Sequence, residues 1–366
     1  MRHQRDDEPG ERRGRRVNSR FVIGLLGIIA VTGAIGIVIS LGQRPTPALT
    51  GSIPTPTLAP RSVTPSPVPS GPQAGFGFSL ADDRATHEIV LFGGVGDYAG
   101  TWLWNGAGWR LAHPQDSPAG RFGASAAYDP QTKTVMLFGG RLEPGLPVHD
   151  TWAWNGTTWD ALDSGAGGPP PGEGSDMAWD PAVNQMVLLT RSGVISSPAA
   201  TWIWAGNHWM KPAGGSLPAG ATYSPMGFDP LTNSLLAVGC CVGPPPATGA
   251  ANTTWRWNGA TWTLLPTSVH APIDGSTMAL YPAADRLVLC ACNAPADADL
   301  SAWKGSEWDP LPGGRVPVAG AVEITDYDRD QLLLLGSGPS QPLTEQAPVE
   351  LWRWTGSSWS LLHRAA

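Results

Sequence analysis

The residues able to do chemistry in this chain are few. Four cysteines occur as two close pairs, Cys240-Cys241 and Cys290-Ala291-Cys292. Thiolates so spaced can bind a soft metal or form disulfides, and outside the cytoplasm disulfides are the default. Four cysteines allow three pairings, and no histidine lies close enough in sequence to complete a metal site. The histidines after residue 75 (His87, His113, His149, His208, His270 and His363) are scattered without ligand spacing. His149-Asp150 resembles a catalytic dyad, but adjacent side chains in extended chain point to opposite sides. No G-x-S-x-G, P-loop or H-E-x-x-H motif is present. The expectation is therefore no catalytic residue, no metal and no cofactor. What remains is a set of charged side chains in segments of variable length, from which Arg121, Arg141, Asp150, Glu173, Asp176 and Arg191 stand out as binding candidates.

The elements that must position these residues are announced by tryptophan. A short pattern recurs six times: TWLWNGAGW from Thr101, TWAWNGTTW from Thr151, TWIWAGNHW from Thr201, TWRWNGATW from Thr254, SAWKGSEW from Ser301 and LWRWTGSSW from Leu351. Seventeen of the 18 Trp fall inside these copies, Trp179 being the exception, so the tryptophans belong to a repeat rather than to one site. The turn glycines Gly106, Gly156, Gly206, Gly259, Gly305 and Gly356 are separated by 50, 50, 53, 46 and 51 residues. Trp-x-Trp sets two indoles on one face of a strand. Asn-Gly supplies a tight turn, and the third Trp returns on the partner strand.

A second hairpin precedes each copy, as in FGASAAYD, a Pro130–Lys133 turn and TVMLFGG. Two hairpins make four antiparallel strands, one propeller blade. One such sheet cannot bury both faces, but blades stacked radially can, each indole adding roughly 150–250 Å². The expected fold class is all-β, a six-bladed β-propeller over residues 75–366. The chain begins on a first strand near Phe76 and ends on a fourth at Trp359, so each blade should be contiguous. The Asp-Pro and Asn-Gly turns then share one face. The second-to-third and blade-to-blade connections share the other, where length varies and binding is usually built.

The period near 50 and the strand-Gly-Gly ends, Phe92-Gly93-Gly94 and Phe138-Gly139-Gly140, resemble the kelch repeat. The Trp-x-Trp-Asn-Gly form is similar to bacterial kelch-like domains grouped with the central domain of galactose oxidase. In three later repeats the pair is replaced by Gly239-Cys240, Ala291-Cys292 and Gly336-Ser337. The resemblance implies a kelch-type propeller. It would imply copper–radical chemistry only with two Tyr, two His and a thioether-linked Cys, which this sequence does not match. Six-bladed kelch proteins also include sialic acid epimerases, so a carbohydrate-active enzyme is the alternative to a binding module. Alignment of the repeats puts Cys240 and Cys292 at the same place, and a disulfide between the fourth and fifth blades is the expected pairing.

Ahead of the repeats, Phe21–Leu41 is an uncharged, mostly apolar run of 21 residues, enough for one membrane-spanning helix. Residues 1–20 form a basic head of net charge +3, which places the N-terminus in the cytoplasm. Residues 42–74 carry nine Pro and read as an extended Pro/Thr/Ser-rich linker. Head and linker together hold +5 of the total of −7, which leaves −12 on residues 75–366. So acidic a unit is not built for nucleic acid. The expected organisation is a single-pass cell-membrane protein whose extracytoplasmic propeller binds a protein or a glycan.

Overall fold

Period-2 strands with large apolar side chains on both faces must be covered on both faces, and a closed ring of radial sheets meets that demand. The computed structural model describes residues 70–73, 76–96, 99–171, 175–190, 199–217, 225–239, 252–269, 277–290, 292, 300–337 and 349–365. The chain divides into two units, Met1–Thr64 and Pro65–Ala366, and all described residues belong to the second. The expected membrane segment 21–41 lies outside the described residues, among which no helix is long and apolar enough to cross a membrane.

The described residues form six four-stranded antiparallel sheets and one three-stranded sheet. The six are contiguous blades, numbered 1 to 6 in chain order: 79–111, 125–163, 176–210, 226–269, 277–310 and 319–364. Their first strands are Ser79–Asp83, Ser125–Asp129, Asp176–Asp180, Met226–Asp229, Thr277–Tyr281 and Ala319–Asp326. Each adjoins the next, and the sixth adjoins the first, so the ring closes with six blades. The three-stranded sheet (Arg121–Phe122, Arg141–Leu142 and Leu146–Pro147) joins the approach to blade 2 with its second-to-third connection.

The apolar core is divided among the junctions. Six buried clusters each join two neighbouring blades, such as Ala81, Val90, Phe92 and Leu103 of blade 1 with Val135, Leu137, Trp154 and Trp159 of blade 2. In every blade the second Trp of the motif tilts against the returning third, with ring centroids 5.2–5.5 Å apart.

The motif threonine has a role that crosses the junction. The indole N–H of Trp159 donates to Thr101 Oγ1 of the preceding blade at 3.0 Å. Trp209 donates likewise to Thr151 at 2.9 Å, Trp262 to Thr201 at 2.7 Å and Trp308 to Thr254 at 2.9 Å. Blades 5 and 6 carry Leu300 and Leu351 at this place, and the buried Trp359 indole N–H is left without a partner. Replacing Thr151 by isosteric Val should strand the Trp209 donor and lower stability by about 1–3 kcal/mol. Chemical denaturation of T151V beside T151S, which keeps the hydroxyl, checks this.

The turns repeat as regularly. Asp83, Asp129, Asp180, Asp229 and Asp326 each end a first strand and accept a backbone N–H two or three residues on, at 2.9–3.3 Å. The residue that closes each turn (His87, Lys133, Asn184, Asn233, Asp285 or Asp330) has φ of 50–63°. Asn105, Asn155 and Asn258 cap the Trp-to-Trp turns, each through Oδ1 accepting two backbone N–H groups.

The junction of blades 6 and 1 joins the two ends of the ring without strand exchange. Arg329 of blade 6 pairs with Asp326 and donates to the Asn105 carbonyl of blade 1 at 2.6 Å. His87 meets Asp328 at 2.9 Å, and the Arg84 guanidinium lies 3.6 Å from the Tyr327 ring centre. At the rim, Gly71 sits so close to Trp109, His363 and Ala365 that a Cβ there would meet them at 3.3–3.4 Å.

Candidate functional site

The first strands, which meet one another around the ring and so are its inner strands, and the loop-side connections bring several of the expected binding residues to one face. Ser79, Ser125, Asp176 and Thr277 each lie four residues before the end of a first strand, at matching places, and these tie inner strands together. Ser79 donates to the Ala124 carbonyl at 2.8 Å and Ser125 to that of Ser175 at 2.6 Å. Asp176 Oδ2 accepts the Met226 N–H of blade 4 at 2.7 Å, while Oδ1 accepts that of Met177 at 2.9 Å. Thr277 Oγ1 accepts the Glu323 N–H at 3.3 Å. Asp176 thus has both oxygens bound to backbone.

Arg121 and Asp150 are joined. The guanidinium is only 1% exposed and donates twice to the carboxylate, Nη1 to Oδ1 at 2.6 Å and Nη2 to Oδ2 at 2.9 Å. It also donates to the carbonyls of Ala119 and Gly139, each at 3.0 Å. Asp150 Oδ2 further accepts the Trp152 indole N–H at 2.7 Å. Burial pushes the Asp150 carboxyl up, but its hydrogen bonds from Arg121 and Trp152 outweigh this and hold it below its ordinary value. Arg141 lies on the same three-stranded sheet and donates to the Gly145 carbonyl at 2.8 Å. His149, as expected, is turned away from this pair, with Nδ1 3.3 Å from the Pro169 carbonyl. Glu173 and Arg191 lie outside the described residues.

The disulfide expectation needs correction. Cys290, at the end of the second strand of blade 5, is bonded to Cys292 two residues on. Both are buried within the cluster shared by blades 5 and 6. Cys290 therefore cannot cross-link blades 4 and 5, and neither can Cys292. Alignment identified matching places, but matching places in two blades need not touch, whereas Cys290 and Cys292 have Cα atoms 5.1 Å apart. Cys240 and Cys241 lie outside the described residues.

Sequence reasoning did not single out two other features. Glu323, on the inner strand of blade 6, is 5% exposed, and neither carboxyl oxygen closes a hydrogen bond of good geometry. Burial pushes its pKa well above the carboxylate range, with Thr277 opposing. The strand has a register shift between Ala319 and Val322, just before Glu323.

The second feature is at the rim of blade 6, where Glu350 accepts the Trp352 indole N–H at 3.0 Å and pairs with Arg364 at 2.7 Å. This matches Arg121–Asp150–Trp152 in residue type and in the two-residue step from carboxylate to indole. The signal that could have found it is the recurrence of acid-x-Trp at Asp150 and Glu350. The difference is exposure: Arg364 is 60% exposed at its side chain and Glu350 only 5%.

On the turn face, a cleft of about 230 Å³ lies between blades 3 and 4, lined in part by Asp180, Val183, Asn233 and Asn258. Asp180 and Asn258 already cap turns there, so the cleft is a consequence of the scaffold.

No known family profile matches this chain, and no curated protein does. Solved structures do share its fold. The structure of YjhT aligns with a TM-score of 0.54 at 13% identity, over 81% of this chain and 99% of that one. The fucose-specific lectin from Aleuria aurantia, described as a six-bladed β-propeller, aligns at 0.55 and 15%, over 80% and 97%. AofleA from Arthrobotrys oligospora aligns at 0.52 and 13%, over 81% and 88%. At such identities the likeness establishes the propeller fold.

Proposed function

We propose that this chain is a membrane-tethered, extracytoplasmic propeller of kelch type that binds carbohydrate through its loop-bearing face. The observation that carries the reading is the six-bladed ring, similar over nearly their whole length to lectins that recognise fucose. The tether is the apolar segment 21–41, and the Pro-rich residues 42–74 hold the propeller away from the bilayer. The net charge of −12 after residue 74 disfavours nucleic acid as a partner. The test is a glycan array probed with the full chain in detergent. Saturable binding to a defined class of glycan is expected. Failure to bind any glycan, with capture of an envelope protein instead, would move the reading to a protein-interaction module. Protease treatment of intact cells checks the tether, with release of the propeller expected and its full protection contradicting an outward placement.

A second reading, a carbohydrate-active enzyme, is favoured by Glu323. A general acid needs a carboxyl whose pKa is raised above its ordinary value, and burial raises that of Glu323. Turnover of a bound sugar, abolished by Glu323→Gln with binding retained, would establish it.

A further inference from the structure

We infer that Arg364 and Trp352 form a binding subsite for a carboxylated sugar on the rim of blade 6, oriented by the buried Glu350. The inference rests on the carbohydrate-binding reading and names a ligand class and a place for it.

The two matching constellations separate scaffold from site. In blade 2 the guanidinium of Arg121 is buried, and its donors are taken by Asp150, Ala119 and Gly139. Four of its five N–H groups are so used and the side chain is 1% exposed, so it presents no edge to a ligand. In blade 6 the carboxylate is buried and the guanidinium faces water. The ion pair joins Arg364 Nη2 to Glu350 Oε1, while Glu350 Oε2 accepts from Trp352. Both Glu350 oxygens are thus occupied. No other partner of Arg364 is present among the described residues. One N–H of Nη2 meets Glu350; the other, together with Nη1 or Nε, leaves one paired edge of the guanidinium able to take a second carboxylate.

Register places the aromatic surface beside that edge. Glu350 pairs across the strands with Arg364 and Trp352 with Leu361. Glu350 and Trp352, two residues apart, share one face of the strand. Trp352 is partly exposed and Leu361 is 40% exposed. An indole that is already hydrogen-bonded and only partly covered offers a flat apolar face for the C–H side of a sugar ring. A fixed cation beside such a platform selects a ring that bears a carboxylate. Charge alone would not do this in so acidic a unit. Arg110 and Glu88 form another pair with an exposed guanidinium in blade 1, where no indole donates to the carboxylate.

The test uses the full chain in detergent micelles, titrated calorimetrically with methyl β-glucuronide and methyl β-glucoside. The wild type is expected to bind the glucuronide more tightly. Arg364→Lys keeps a cation for Glu350, and with it the fold, but loses the planar fork. It should weaken the glucuronide at least about tenfold and leave the glucoside unchanged. Arg364→Gln should abolish the preference, and Arg110→Lys should change nothing. Equal glucuronide affinity in wild type and R364K would overturn the subsite. So would a wild type that binds neutral glycans on the array and no glucuronide, while the carbohydrate reading would stand. A chain that binds no glycan at all would remove that reading and the subsite with it.

Discussion

Replacing Asp150 with Ala is expected to lower the unfolding free energy by about 3–5 kcal/mol, the usual cost of leaving one member of a buried ion pair alone. Arg121 would keep its carbonyl partners but lose both charged hydrogen bonds. The Trp152 indole would lose its acceptor as well. Urea denaturation of D150A against wild type measures the effect. The double variant Arg121→Met/Asp150→Leu should recover most of the loss, because apolar groups of similar volume often replace a buried pair without penalty. A D150A cost below about 1 kcal/mol would mean that the carbonyls of Ala119 and Gly139 suffice for the guanidinium. The sign with pH follows from the lowered pKa of Asp150. Its contribution is present above the ordinary carboxylate pKa and is lost as the pH falls through the depressed folded value.

The second large effect runs the other way. Asp82→Asn is expected to stabilise the protein at pH 8 by up to about 4 kcal/mol. Asp82 sits at the junction of blades 6 and 1 with its side chain 6% exposed. Burial raises its pKa from 3.8 to about 7; the Tyr327 N–H and Arg84 oppose the rise, and Asp326 and Asp328 add to it. Between those values the folded chain holds a proton that the unfolded chain has released. Stability from this group is therefore full below about pH 4 and is lost as the pH rises to about 7. Asn keeps an acceptor for the Tyr327 N–H at 3.2 Å and never needs to ionise. Denaturation midpoints of wild type and D82N from pH 4 to pH 8 should converge in acid and separate steadily above it. Parallel curves across that range would show that the carboxyl is solvated in the folded state.

These two carboxylates also show what the sequence could and could not reveal. Strands, turns, blade count and contiguity were legible because each depends on residues within one repeat, and six copies averaged away local ambiguity. The turn aspartates and the Asn-Gly caps were readable for the same reason. The Thr–Trp bonds cross a junction, joining residues 54–61 apart. A clue was present, since the motif Thr gives way to Leu in the fifth and sixth copies, but its partner was not. Arg121 and Asp150 both read as loop charges, and only the fold of Arg121–Phe122 against Arg141–Leu142 shows why one is buried against the other. Cys240 and Cys292 illustrate the opposite error, in which equivalence by alignment stood in for proximity. Arg364 escaped notice because it lies on the last strand, where a charge is ordinary; Glu350 across the strand pair gives it significance.

The loop-bearing face is the place assigned to carbohydrate, and hydrogen exchange of the full chain with and without a glycan identified on the array tests this most directly. Added protection is predicted at loop-side strand ends, including Gly139, Asp150–Trp152 and Val349–Leu351. The turn amides of Thr86, His87, Ala107, Gly108, Ser357 and Ser358 should exchange as before. Protection confined to those turns would contradict the account.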